Sequence, residues 1–289
     1  MVKSSSSLAF RSLLKSAAAK AGLHKPIDRL TGLTPAASAY HAAVLAQDAP
    51  VLLVVPTDAD VEQMTSDARM FIGALQGLAE RDVITRVLPL PSQEVDPYRG
   101  LTPHLEVASA RARALHAMAS GNARLVVASA RALVPRLSAP DRLAAAGLVI
   151  APGTEISPQE LGDRLALAGF APEDPVDEHG EFCVRGGVVD LYPASESDPV
   201  RLEFIGDIVE SVRRYDAATQ RSQAALDQIV VSPQRELLPD PAHADDPAAF
   251  DRTATIVDSL PAPKVRPPTT LPACAPSMVI ARATAMFWL

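Results

Sequence analysis

The sequence predicts an α/β chain: a parallel sheet flanked by helices, with a smaller α+β section of short strands later in the chain. Three observations carry this prediction. Apolar runs of strand length, "VLLVVPT" (51–57), "ITRVLPL" (84–90) and "ARLVVAS" (123–129), alternate with helix-length segments through the first 130 residues. From residue 181 to 216 short strands follow one another with connections too short for crossover helices, so hairpins are expected. With 48% hydrophobic residues, the chain can bury a core.

The elements follow in order. "MVKSSSSLAFRSLLKSAAAKAGLHK" is basic and Ser/Ala-rich, with no acidic residue before Asp28. It reads as an amphipathic helix with Phe10, Leu13, Leu14 and Ala17 on one face, although a transit peptide has the same composition. Thr34-Pro35 is an N-cap followed by Pro at the first helical position, and "AASAYHAAVLAQ" extends a helix to about Asp48. "VLLVVPT" is continuously apolar, as in a strand buried on both faces. Thr57 and Asp58 cap the next helix (59–78), in which Met64, Ala68, Phe71 and Leu75 recur at helical spacing. "PSQEVDPYRGLTPH" (91–104) is a Pro- and Gly-punctuated loop, and Thr102-Pro103 opens a helix to about Ser120.

The middle third has a different rhythm. "RALVPRL" reads as a short helix and "GLVIAPGTEI" as a strand and turn. Ser157-Pro158-Gln159-Glu160 is a capping box that opens a helix to about Gly169. Strands are expected at 181–187, 188–193, 200–206, 208–216 and 224–234. In "VRLEF", Val200, Leu202 and Phe204 share one face and Arg201 and Glu203 the other. After about residue 235 the pattern fails: "LPAPKVRPPTTLPACAPS" (260–277) is dense in Pro, and "MVIARATAMFWL" has nothing after it to pack on. The last ~40 residues read as poorly ordered or as a truncated domain edge.

Composition excludes several classes. A net charge of −7 opposes a general polyanion-binding surface. Cys183 and Cys274 fit neither a zinc spacing nor a disulfide framework, so a reducing, cytoplasmic compartment is the default. No apolar run approaches the ~18 residues of a membrane span. The histidines (His24, His41, His104, His116, His179, His243) are scattered without ligand spacing, so neither a metal nor a cofactor is expected, and no nucleophile–base set appears.

One stretch has the outline of a phosphate-binding loop. In "GLTPAASAY" (32–40), read against G-x-x-x-x-G-K-[ST], Gly32 fits. Ala37 then stands for the second Gly, Ser38 for the Lys and Ala39 for the Ser/Thr. Such a loop needs free backbone N–H groups, a Lys for the outer phosphates and a hydroxyl for magnesium. Pro35 has no N–H, no lysine lies between Lys25 and Lys264, and no arginine follows the loop until Arg69. The residues read as a Thr34-capped helix start with no ATP hydrolysis.

A second stretch, "EHGEFCVRGGVVDLYPA" (178–194) followed by "VRLEF", alternates polar and apolar residues around Gly186-Gly187, which permits a tight bend. Arg185 and Arg201 are expected on exposed strand positions, where arginine either is solvated or anchors a partner.

This block, with "VRLEFIGDIVESVRRYDAATQRS" and "LPSQEVDPYRGLTPHLEVASARARALHAMASGNARLVVASARALVPRL", resembles the N-terminal module of bacterial transcription-repair coupling factors, shared with the excinuclease subunit UvrB, over residues 28–235. The degenerate loop and the short "DPYRGLTPH" link, too short for the aromatic hairpin of UvrB, favour the coupling factors. The resemblance implies a helicase-like parallel-sheet domain interrupted by an inserted α+β domain that binds the protein UvrA. The expected organisation is an N-terminal helix or extension (1–27), a degenerate P-loop domain (28–131), the inserted domain (132–212), a return to the first domain (213–240) and a Pro-rich tail (241–289).

It further implies a non-enzymatic interaction module that binds no specific nucleic acid, with RNA polymerase engaged only through domains not present here. The implied UvrA-binding residues are Arg185, which matches the family's "RG" arginine, and Arg201, with Phe182, Gly186 and Asp190 of the same block. Cys183 stands where UvrB often has Arg, and Ala171 and Pro172 where relatives carry a further Arg. The alternatives are a UvrB-like ATP-dependent DNA-processing enzyme and a truncated or frame-shifted gene product.

Overall fold

The computed structural model describes residues 3–24, 30–93, 95, 104–239 and 279–282. The chain divides into two compact units, each built from separate stretches: 1–92, 120–135 and 255–289 in one, and 93–119 and 136–254 in the other.

The first unit is built on a four-stranded sheet. Its strands are β1 (Val51–Val55), β2 (Val87–Leu90), β3 (Leu125–Ser129) and β12 (Val279–Arg282), numbered in chain order, and they lie in the order β12-β1-β3-β2. β3 is parallel to both β1 and β2, and β12 is antiparallel to β1. All five residues of β3 are buried, as expected for a central strand covered on both faces. Helices α1 (Lys3–Ala21), α2 (Pro35–Leu45), α3 (Asp58–Gln76) and α4 (Glu80–Ile84) belong to this unit. Ala42, Val44, Val51, Leu53, Met64, Ile72 and Val127 share its core.

Three expectations are corrected here. The buried face of α1 is Leu14 and Ala18, while Phe10, Leu13 and Ala17 are exposed. The helix is held by the Tyr40 hydroxyl, which donates to the Leu14 carbonyl, and by Arg11 Nε, which donates to the Leu75 carbonyl at 2.8 Å. These partners are distant in sequence, so a helical wheel could not choose the face. The strand expected from residue 84 starts at Val87, because α4 uses the preceding residues. Finally, residues 279–282 do find a partner: this β-branched run pairs with the open edge of β1. Residues 240–278 and 283–289, with the rest of the expected tail, lie outside the described residues.

The second unit holds α5 (Leu105–Ala119), α6 (Pro140–Ala145), β4 (Leu148–Ile150), α7 (Pro158–Leu167) and β5 (Ala171–Pro172). It continues with β6 (Glu181–Arg185), β7 (Val188–Leu191), β8 (Val200–Ile205), β9 (Ile208–Tyr215), β10 (Ser222–Ala225) and β11 (Ile229–Val231). Six strands form one sheet in the order β10-β9-β8-β7-β6-β5, antiparallel except for the β5–β6 pair, and β11 pairs with β4. The single strand expected at 224–234 is therefore two strands in two sheets.

α7 starts where expected, capped by Ser157 Oγ, which accepts from Glu160 N at 3.1 Å, while the Glu160 carboxylate of the expected capping box pairs with Arg164 at 2.7 Å. Its Leu161 and Leu165 pack with Phe182, Val189, Leu191, Leu202 and Val212 from one face of the large sheet. The opposite face, here the outer face, carries the exposed Arg185 and Arg213 together with the buried Asp190 and Tyr215. β9 runs without a break through residues 212 and 213, so the domain boundary expected there falls inside a hydrogen-bonded strand.

Close packing in this unit makes a direct prediction. A Cβ placed on Gly147 would lie 1.9 Å from Nε2 of His116, a side chain only 8% exposed. Gly147 is not in the left-handed region, so the effect is purely steric. Gly147→Ala should destabilise the protein by about 1–3 kcal/mol, measured as a lower urea midpoint. An unchanged midpoint would show that the imidazole swings aside.

Candidate functional site

The turn Gly186-Gly187 joins β6 to β7 and sets the site in register. Gly186 has φ +59°, and Arg185 pairs with Val188 across the turn. A residue with a Cβ is strained at that φ, which accounts for the glycine. The pairing then sets Cys183 opposite Asp190, Asp190 opposite Arg201, and Arg201 opposite Arg213. Directly opposed residues share a face, so these side chains form a row across the outer face from β6 to β9.

Asp190 is the centre of this row. It is 1% exposed and ionically paired with two arginines. Arg201 approaches it in a two-pronged manner, with Nε donating to Oδ1 at 2.7 Å and Nη2 to Oδ2 at 2.8 Å. Arg185 donates to the same Oδ2 through Nη2, and through Nη1 to Asp174 Oδ1 at 2.9 Å. The Arg201 guanidinium also lies 4.8 Å from the centre of the Tyr215 ring, a cation–π contact. The Tyr215 hydroxyl in turn donates to the Val176 carbonyl at 3.1 Å.

The electrostatics are those of a fixed ion network. Burial, reinforced by the Asp190 charge, pushes the Tyr215 phenol above its ordinary range. The Cys183 thiol is pushed up by burial and by Asp174, so it stays protonated and is a poor nucleophile. The hydrogen bond to Asp190 raises the Arg201 guanidinium further, against a smaller opposing effect of burial. The arrangement fixes guanidiniums in space.

The five residues expected to meet a partner take different parts. Arg185 is exposed, with 44% of its side chain accessible. Arg201 is on the same face but only 21% accessible and turned to Asp190. Asp190 is buried and organises both. Gly186 forms the turn. Phe182 is corrected: it is 6% exposed and packs with α7 on the opposite face, because strand alternation sends it inward when Cys183 points out. Arg213 belongs to the row but was not among the expected partner residues, because the resemblance ended the inserted domain at 212; the strand expected at 208–216 was the signal that could have included it.

The degenerate loop of the first unit is a helix start. Thr34 Oγ1 accepts from Ala37 N at 3.3 Å, and Pro35 occupies the first helical position of α2. Gly32 is exposed at φ +77°. Ser38, in the lysine position, is 2% exposed and donates to the Thr34 carbonyl at 3.1 Å. Ala39 is fully buried in the core. The two positions that would reach phosphate and magnesium thus point into protein.

The carboxyl ends of β1, β2 and β3, where α/β sheets ordinarily place ligands, carry a carboxylate of the protein itself. Asp58 accepts from the Ser92 backbone N and from its hydroxyl, both at 2.6 Å. Burial raises its pKa, but bonds from Ser129 and Ser92 outweigh this and leave it below the usual carboxylate range. Asp60 caps the same helix through the Thr57 N–H at 3.2 Å. Two carboxylates at the N-terminus of α3 repel an incoming phosphate. Among the described residues, no group of three or more His, Cys, Asp or Glu could hold a metal ion, and no helix is long and apolar enough to cross a membrane.

Residues 148–237 match the UvrB interaction domain family. They contain the whole arginine–carboxylate row. The chain is 32% identical over 213 residues to the transcription-repair-coupling factor of Myxococcus xanthus, which covers 73% of this chain and 17% of that protein. It is 28% identical to the factor of Escherichia coli, over 77% of this chain and 18% of the relative. With that of Haemophilus influenzae it shares 32% over 56% of this chain and 14% of the relative. The chain is a transcription-repair-coupling factor region with a UvrB interaction domain. It spans less than a fifth of the length of these curated relatives. The resemblance read from the "VRGGVVDLYP" block is therefore shown, and its mixed α/β character with a parallel sheet is the one found.

Proposed function

We propose that this chain is a non-catalytic interaction module that recruits the excision-repair subunit UvrA through the outer face of the six-stranded sheet. The observation that carries this reading is the buried Asp190 holding Arg185 and Arg201 on the open face of a UvrB interaction domain. A guanidinium fixed in this way loses little entropy on meeting a partner, which is what an anchor residue needs. On this reading the first unit descends from a helicase-like nucleotide-binding domain, the second is its insertion, and the protein works in the cytoplasm. Burial of Ser38 and Ala39 and the carboxylates at the start of α3 support a module without ATPase activity.

Titrating UvrA against the parent chain and Arg185→Glu tests the proposal. Charge reversal should cost about 1–3 kcal/mol of binding free energy. Equal affinity of the two proteins, or no affinity in the parent, overturns it. ATP hydrolysis by the purified chain, abolished by substitution in the Gly32–Ala39 loop, would instead favour an ATP-dependent enzyme.

A further inference from the structure

The most exposed arginines of this face are Arg185 and Arg213, not Arg185 and Arg201. Arg201 spends Nε and Nη2 on Asp190, brings Nη2 within 3.5 Å of Gln220 Oε1, and leans over Tyr215. Arg213 stands opposite it on β9, is exposed, and among the described residues its guanidinium has no ion-pair or hydrogen-bond partner. From β6 to β9 the row spans three strand intervals, about 14 Å at ~4.8 Å each. Arg185 and Arg201 already share Asp190, whereas Arg213, one strand further on, does not bond it, so a partner would meet Arg213 through a group of its own.

The face is not broadly basic. Its three arginines, Arg185, Arg201 and Arg213, are matched by Glu181, Asp190 and Glu203 of the strands and by Asp174 beside them, and Glu181 is bonded to the backbone N–H groups of Asp177 and Glu178. Asp190 is buried, and Glu203 accepts from Ser211 Oγ at 2.6 Å. Asp174 is different: its side chain is 56% exposed and pairs with Nη1 of Arg185 at 2.9 Å. An exposed pair of this kind is weak, so a partner carboxylate can take its place. Arg213 offers its whole donor fork without displacing anything.

We propose that Arg213 is the second contact arginine of this face, and that the partner surface presents two carboxylates, one exchanging with Asp174 at Arg185 and one meeting Arg213. The Asp190–Arg201 pair is the rigid spacer between them. This inference rests on the docking reading given above and names the chemistry of its partner.

The test uses the full chain and a UvrA titration, with folding of every variant checked by thermal melting. Arg213→Glu and Arg213→Ala should each weaken binding by about fivefold or more. Asp174→Asn should tighten it by about threefold, because the competing charge is gone. Binding at parental strength by both Arg213 variants, while Arg185→Glu binds weakly, overturns the second contact and leaves the docking reading standing. If neither arginine matters, the docking reading itself fails. Weaker binding by Asp174→Asn would mean that Asp174 aims Arg185 rather than competes for it, and would overturn the exchange.

Discussion

Asp190→Asn should destabilise the protein by about 3 kcal/mol. The substitution keeps the shape and leaves no cavity, so the loss reports charge alone. One buried carboxylate now serves two guanidiniums, and its nearest alternative, Asp174, is exposed and reaches only Arg185. With a neutral amide in its place, Arg201 and Arg185 face each other across an uncompensated site, and Arg201 has little solvent to turn to. The cost falls at the low end for a broken buried pair because Arg201 is 21% accessible. Urea denaturation should show a lower midpoint at an unchanged slope. Adding Arg201→Leu should recover part of the loss, since removing both partners leaves no orphaned charge. A double variant no better than the single one would show that Asp190 acts through something other than this pair.

The second large effect is expected at a different ion pair. Arg111, on α5, has a fully buried side chain and donates Nη2 to Glu236 Oε2 at 2.8 Å and Nε to Oε1. Glu236→Ala leaves that guanidinium without its carboxylate, at a cost of about 4 kcal/mol. In a chain of this size this lowers the melting temperature by roughly 8–16 °C. Glu236→Gln keeps one acceptor and should fall between the variant and the parent. A loss below about 1 kcal/mol would mean that water or the other contacts of Arg111 hold its guanidinium once this carboxylate is gone.

The pair also explains why the domain boundaries were hard to read. "VASARARALHAMAS" was expected to flank the parallel sheet, since it sits between two of its strands in sequence. Its place in the second unit is fixed by a contact 125 residues away, which no local pattern encodes. At residue 212 the resemblance implied a change of domain, whereas the sequence pattern had one strand at 208–216, and the strand is what the structure shows. Helix starts were far more legible. Thr34-Pro35 and the Ser157 N-cap lie where local chemistry puts them, because an N-cap bond closes within three or four residues.

The arginine–carboxylate face shows the division most clearly. The "CVRGGVVD" pattern by itself determined a hairpin, its glycine turn and an outward Arg185, since side chains alternate along a strand and only glycine is unstrained at that φ. It could not say which cations are free. That depends on which strands lie side by side and in what register, and so on where a buried carboxylate ends up. Tertiary pairing placed Asp190 between Arg185 and Arg201, turned Arg201 inward and left Arg213 open. Local backbone preferences act over a few residues and are written in sequence order, whereas a charge is paired or free according to neighbours that only the folded sheet brings together.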